Sequence, residues 1–236
     1  MTLLTEATDI FTAKPSGRCL VAFIAKRQPL EPGVFGPAQT RRLLDLLRTL
    51  QAEGWLTSLR AMFDSRAPAE PCAFDCAFAH DADMVGVFEA PSLSEALAGT
   101  VRLERAGWAR RFATEWLLGP REFSTVEGRG EQSGHAWGFL ALWEWNDAWS
   151  AATRPERRVY DEECDVAFKG DLALGINIAG RHRLDWASRW HHAGVWEAPS
   201  LGSIDVAMRG HEAAADFKFT TSRHYVGRLR PLADLI

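Results

Sequence analysis

The chain has 236 residues, 47% of them hydrophobic and 25% charged, enough apolar material for a sizeable core. Its 27 basic residues against 31 acidic ones give a formal net charge of −4, which argues against nucleic acid as a partner. No run approaches the roughly 18 apolar residues that a spanning helix needs, and residues 1–17 lack the basic start and apolar core of a signal peptide, so no membrane partner and a cytoplasmic location are expected.

Residues 1–17, ending in Lys14-Pro15-Ser16-Gly17, read as a tail. A first strand is expected at 19–26, closed by Arg27, Pro29 and Pro32. Gly36-Pro37 opens a helix in which Leu43, Leu44, Leu46, Leu47 and Leu50 recur at helical spacing, and Gly54 stops it. Residues 55–63 read as a second strand, 64–83 as a loop with Pro68 and Pro71, and 84–89 as a third strand. Ser92-x-x-Glu95 forms a capping box that satisfies two orphaned backbone donors. The helix it starts is expected to face inward along Leu93, Leu97, Val101, Glu104 and Trp108, before a fourth strand at 113–118. The order β-α-β-β-α-β is that of a ferredoxin-like unit.

The octet Gly86-Val87-Phe88-Glu89-Ala90-Pro91-Ser92-Leu93 returns 108 residues later as Gly194-Val195-Trp196-Glu197-Ala198-Pro199-Ser200-Leu201. Two copies at so long an offset indicate one small domain duplicated and fused, since solenoid units are short and many. The stretch 119–134, rich in Gly, Glu and Arg, has no apolar period and reads as the connection. The organisation expected is therefore a tail at 1–17, a first repeat at 18–123, a linker at 124–135 and a second repeat at 136–236. In the second repeat, strands are expected at 137–145, 176–186, 192–197 and 222–229. Helices follow Thr153-x-x-Glu156 and span 203–217.

The second half carries Asn146-Asp147-Ala148-Trp149, Arg154-Pro155-Glu156-Arg157-Arg158, Val195-Trp196-Glu197-Ala198 and His224-Tyr225-Val226. Over residues 137–232 it resembles the darcynin-like family, a branch of the dimeric α+β barrel proteins. The resemblance implies the α+β class, with two fused ferredoxin-like repeats forming a pseudo-dimeric barrel in one chain, as monomer or homodimer. It implies no single reaction. The wider superfamily includes cofactor-independent monooxygenases, cyclases, lactone isomerases, and haem enzymes such as aldoxime dehydratases, chlorite dismutases and dye-decolourising peroxidases, and fold alone does not choose among them.

Several residues can carry chemistry. On a strand, Trp137, Phe139, Trp143 and Trp145 share one face, and with Trp196 they would make an aromatic wall for a planar substrate. Alternation puts Arg181 and Arg183 on one face with Asn177, where guanidinium groups can stabilise developing negative charge. His224 is a candidate general base. His211 shares a helical stripe with Ile204 and Met208 and, by resemblance to aldoxime dehydratases, is a candidate axial haem ligand. Cys72, Cys76 and His80 have a C-x3-C-x3-H spacing that could hold zinc, a weak signal without a fourth ligand. No G-x-G-x-x-G after a strand, phosphate loop, G-x-S-x-G elbow or H-E-x-x-H occurs, which counts against nucleotide, serine-hydrolase and zincin chemistry. The expectation is a tailoring enzyme of specialised metabolism, oxygenase or cyclase in type, with His224, Arg181 and Arg183 acting on a planar hydrophobic substrate without a cofactor. The alternatives are a haem enzyme using His211 and a non-catalytic binding protein.

Overall fold

The computed structural model describes residues 17–29, 35–64, 70–79, 81–130 and 134–236. The expected tail up to residue 16, Pro32, Pro68, His80 and residues 131–133 of the linker lie outside them. The described chain divides into two compact units. One comprises Gly17–Arg121 with Tyr225–Ile236, here the N-terminal unit, and the other Glu122–His224, the C-terminal unit.

The N-terminal unit runs β1 (Cys19–Arg27), α1 (Pro37–Ala52), α2 (Leu59–Phe63), β2 (Cys72–Asp75), β3 (Met84–Ala90), α3 (Leu93–Leu103), α4 (Ala109–Arg111) and β4 (Phe112–Pro120). The C-terminal unit runs β5 (Trp137–Trp145), α5 (Asp147–Ala151), α6 (Arg154–Ala173), β6 (Asn177–Arg183), β7 (His192–Ala198), α7 (Leu201–Ala213) and α8 (Asp216–Phe219). β8 (Thr220–Pro231) gives its first residues to the C-terminal unit and its last to the N-terminal one. The strand orders are β4-β1-β3-β2 and β8-β5-β7-β6. Both are the ferredoxin-like order, as the sequence leads one to expect.

The octets fall where the repeat places them. Each ends a central strand, β3 or β7, and Ser92 or Ser200 then caps the following helix by accepting from the backbone N–H of Glu95 or Ser203. Thr153 and Glu156 form a reciprocal capping box at the start of α6, with Pro155 in its first turn.

Two expectations in the N-terminal unit give way. Residues 55–63 are not a strand: Leu56 makes a single bridge to Glu89, and Ser58 then caps α2 through the N–H of Ala61. The second strand is β2, inside the stretch read as loop, where it pairs with β3 and with residues 228–231 of β8. Secondly, α3 buries Ala96, Gly99, Thr100 and Leu103, whereas Leu97 and Val101 are exposed. The π-helical turn Glu104–Trp108 that follows, with Gly107 at φ 125°, re-aims the chain so that Trp108 enters the core.

That core is aromatic at its centre. Phe23 of β1 stands opposite Gly86 and Trp116, and its ring meets Phe88 at 5.1 Å, Trp108 at 5.0 Å and Trp116 at 5.5 Å. Gly86 is obligatory here, since a Cβ at that position would lie 1.9 Å from Cζ of Phe23. Leu43, Leu47 and Leu50 of α1, Leu103, Leu232 and Leu235 complete the cluster.

Candidate active site

The C-terminal unit repeats this plan with the centre left out. Its register places Ala141 opposite Gly194, as Phe23 stands opposite Gly86. A 108-residue offset sets Trp196 against Phe88, His211 against Leu103, Asp216 against Trp108 and His224 against Trp116. Where the N-terminal unit stacks four aromatic rings, the C-terminal unit has one small residue, an acid, a histidine and a single indole. The result is a cavity of about 140 Å³, lined among others by Phe139, Trp143, Trp145, Ile178, Arg181 and His224.

The expected aromatic wall is largely present. Phe139 stacks on Trp196 at 4.7 Å, and Trp143 and Trp145 border the same cavity. Trp137, at the start of β5, is not part of the wall. The opposite face of β5 is closed by Leu140 and Leu142, both fully buried.

The two arginines separate. β6 shifts register between Ile178, opposite Trp196, and Arg181, opposite Gly194, and Gly180 within that irregularity has φ 88°. The extra residue is a β-bulge, which reverses the alternation on its far side. Arg181 therefore shares the cavity face with Ile178, while Asn177 turns away, buried, to donate to Glu197 at 2.9 Å and accept from the N–H of Gly128. Arg183 lies at the exposed end of the strand, paired with Asp185 at 2.6 Å, and takes no part in the wall.

Arg181 is held from behind. Its Nε donates to Glu122 at 2.8 Å, and its guanidinium lies 4.2 Å from the centre of the Phe123 ring. His192 Nδ1 is 3.4 Å from the same carboxylate oxygen. Burial opposes the charge on Glu122, but contacts from His192 and Arg181 outweigh it and keep the carboxyl ionised. Nη2 of Arg181 is buried without a hydrogen-bond partner among the described residues. Glu122 and Phe123 come from the stretch read as connection, and no spacing pattern marks them.

His224 borders the cavity, its ring 5.2 Å from Phe139 and 6.0 Å from Phe217, with no hydrogen-bond partner among the described residues. Burial pushes it down to about 4, so the ring is neutral and both an acceptor and a donor are available to a ligand.

His211 is occupied. Its Nδ1 lies 2.7 Å from Asp216 and its Nε2 2.9 Å from Asp171, which is almost wholly buried. Burial alone would lower its pKa, but the two hydrogen bonds and the two negative charges raise it to about 9. It is an imidazolium that ties α6, α7 and α8 together. Asp216 also accepts from the Tyr160 hydroxyl and the Cys164 thiol, and burial with that carboxylate holds both groups protonated. Tyr160, Cys164 and Asp171 recur at helical spacing on α6, the one sequence signal that could have found this network.

A haem held by His211 does not fit these residues. An iron ligand needs one free imidazole nitrogen, and both are spent on carboxylates; freeing one would leave Asp171 buried beside an unbalanced charge. The cavity beside His211 and His224 is close in size to one that takes a benzene molecule, about 150 Å³. The weak zinc reading fares no better. Cys72 donates to the Glu70 carbonyl and Cys76 to that of Val226, burial pushes the thiols up to about 11 and about 12, and His80 lies outside the described residues. Among the described residues no group of three His, Cys, Asp or Glu side chains is placed to hold a metal ion.

No family model matches the chain, and no curated protein matches it in sequence. Solved structures do. A variant of the chlorite dismutase from Candidatus Nitrospira defluvii aligns with a TM-score of 0.73 at 12% identity, over 94% of this chain and 95% of that one. The enzyme from the same organism in complex with imidazole aligns with a TM-score of 0.72 at 12% identity, over 94% of each chain, and a variant in complex with cyanide gives the same figures. These likenesses show the fold alone, an α+β fold shared with those chlorite dismutases. No described helix is long and apolar enough to cross a membrane.

Proposed function

We propose that the C-terminal unit is the active half of a small-molecule enzyme that takes a planar, ring-sized substrate and moves a proton through His224. The observation that carries this reading is the pairing of two unpartnered groups on one cavity wall, the neutral imidazole of His224 and Nη2 of Arg181. Phe139 and Trp196 offer the apolar faces against which a flat ring packs.

In the reaction a C–H or O–H bond of the substrate breaks, its proton passes to His224, and the electron pair stays on the substrate. Burial disfavours the imidazolium, so His224 keeps the proton only while the substrate carries the compensating negative charge. Such a step opens cyclase chemistry, or oxygenase chemistry with dioxygen as co-substrate. Arg183 has no role in it.

The test is deuterium exchange into single-ring C–H acids, followed by NMR. His224→Ala should slow the exchange roughly 10²- to 10⁴-fold without altering the fold. If the variant exchanges as fast as the native protein, the reading is lost. The haem alternative is distinguished by absorption: the protein as isolated is expected to lack a Soret band, and a band that disappears in His211→Ala would restore that alternative.

A further inference from the structure

The cavity floor fixes more than the size of its occupant. His224 lies on β8 and Arg181 on β6, the two outer strands of the order β8-β5-β7-β6. Between those strands Ala141 stands opposite Gly194, Arg181 pairs directly with Gly194, and the Trp143 indole covers that glycine, its Cζ3 3.3 Å from where a Cβ would lie. Three strand spacings separate those two outer strands by about 14 Å. The imidazole and the guanidinium border one cavity of about 140 Å³, room for about one ring.

The charges around Arg181 bear on what its free Nη2 can take. Glu122 already balances the guanidinium at Nε, Asp161 lies on the cavity wall, and burial holds His192 neutral. Tyr160 is kept protonated by burial and by Asp216. A permanently anionic substrate would meet the negative charges of Glu122 and Asp161. A neutral oxygen that becomes anionic only during the reaction meets a donor whose contribution grows as the charge develops.

We infer that the substrate is a conjugated single-ring compound whose carbonyl oxygen faces Nη2 of Arg181, with the proton taken by His224 at the opposite end of the same π system. This rests on the function proposed above and specifies its substrate class. The C–H bond breaks at the His224 end, its electron pair moves through the conjugated double bonds, and the oxygen at the Arg181 end becomes the oxyanion. Return of the proton to a different carbon gives an isomer, so the step needs no oxidant or reductant. Glu122 is a positioning residue, holding Nε so that Nη2 points at the ligand.

The experiment uses the full chain and two probes of one size, 4-nitrophenol and nitrobenzene. Below the solution pKa of the phenol, the bound 4-nitrophenol should show the phenolate absorption and bind roughly 10- to 100-fold more tightly than nitrobenzene, the range of a charge-assisted hydrogen bond. Arg181→Met should remove both the phenolate spectrum and the preference for 4-nitrophenol over nitrobenzene. Should that variant fail to fold, the native protein's two affinities and its bound spectrum still decide, and Glu122→Gln, which removes the counter-charge, should strengthen phenolate binding several-fold. Equal binding of the two probes with a neutral-phenol spectrum would overturn the oxygen assignment and leave the ring pocket standing. If neither probe binds, the pocket reading fails and this inference fails with it.

Discussion

In the N-terminal unit Phe23 stands over Gly86, and three further aromatic rings close around it. In the C-terminal unit Ala141 stands opposite Gly194, Trp143 leans over that glycine with Cζ3 3.3 Å from where a Cβ would lie, and the rest of the space is open. The backbone plan is the same, and a few side chains decide between a packed core and a binding cavity. Interiors are packed at crystal-like density, so setting Ala141, Asp216 and His224 where the other unit has Phe23, Trp108 and Trp116 leaves space for a ligand. The open unit forgoes that packing, and its helices are joined instead by the ionic clamp of Asp171, His211 and Asp216.

The sharpest break of this contrast is Phe23→Ala. It should destabilise the protein by about 3–5 kcal/mol in denaturant unfolding. Benzene should restore part of the loss, because the vacated space resembles the one the other unit already has. Next is His211→Ala, expected to cost about 3–5 kcal/mol because Asp171 is left buried without its cation. Leu103→Ala, at the matching position, should cost about 2–5 kcal/mol and show no dependence on pH, since only packing is lost.

The clamp also predicts how stability varies with pH. His211 is raised from 6.5 to about 9, so its contribution is complete below pH 6.5 and is lost as pH rises through 9, about 3 kcal/mol at most. His224 is lowered from 6.5 to about 4, so stability also falls as pH drops through that window. Thermal unfolding should therefore peak near pH 6.5, and Asp171→Asn should flatten the alkaline side. The smallest effect on stability is expected from exchanging the two patterns. Ala141→Phe with Trp143→Ala copies Phe23 and Ala25 into β5; it should change stability by less than about 1.5 kcal/mol while eliminating nitrobenzene binding, as measured by calorimetry.

The strands and helices near the repeated octet were legible, because Pro-Ser punctuation and capping residues act locally. Residues 55–63 misled because Leu56 and Phe63 suit a strand, while Ser58 turns the chain into α2 between them. β2 was hidden because it is four residues long and gains its partners from β3 and from residues 228–231, which no local pattern reveals. In the site, the aromatic wall followed from alternation along β5. The face of Arg181 did not, since one bulge at Gly180 reverses the parity on which such reasoning depends. Glu122 and Asp216 were invisible for a different reason: a single acid in a loop or at a helix start has no periodicity, and only the fold brings it to its partner.

β8 carries one more consequence. Its last residues, together with Leu232 and Leu235, supply an edge and part of the core to the N-terminal unit, whereas Glu122–His224 is one uninterrupted segment. During synthesis the unit translated first must wait for residues 225–236 to leave the ribosome before its interior can close. The unit translated second has all of its own described chain made by His224, before those residues are added.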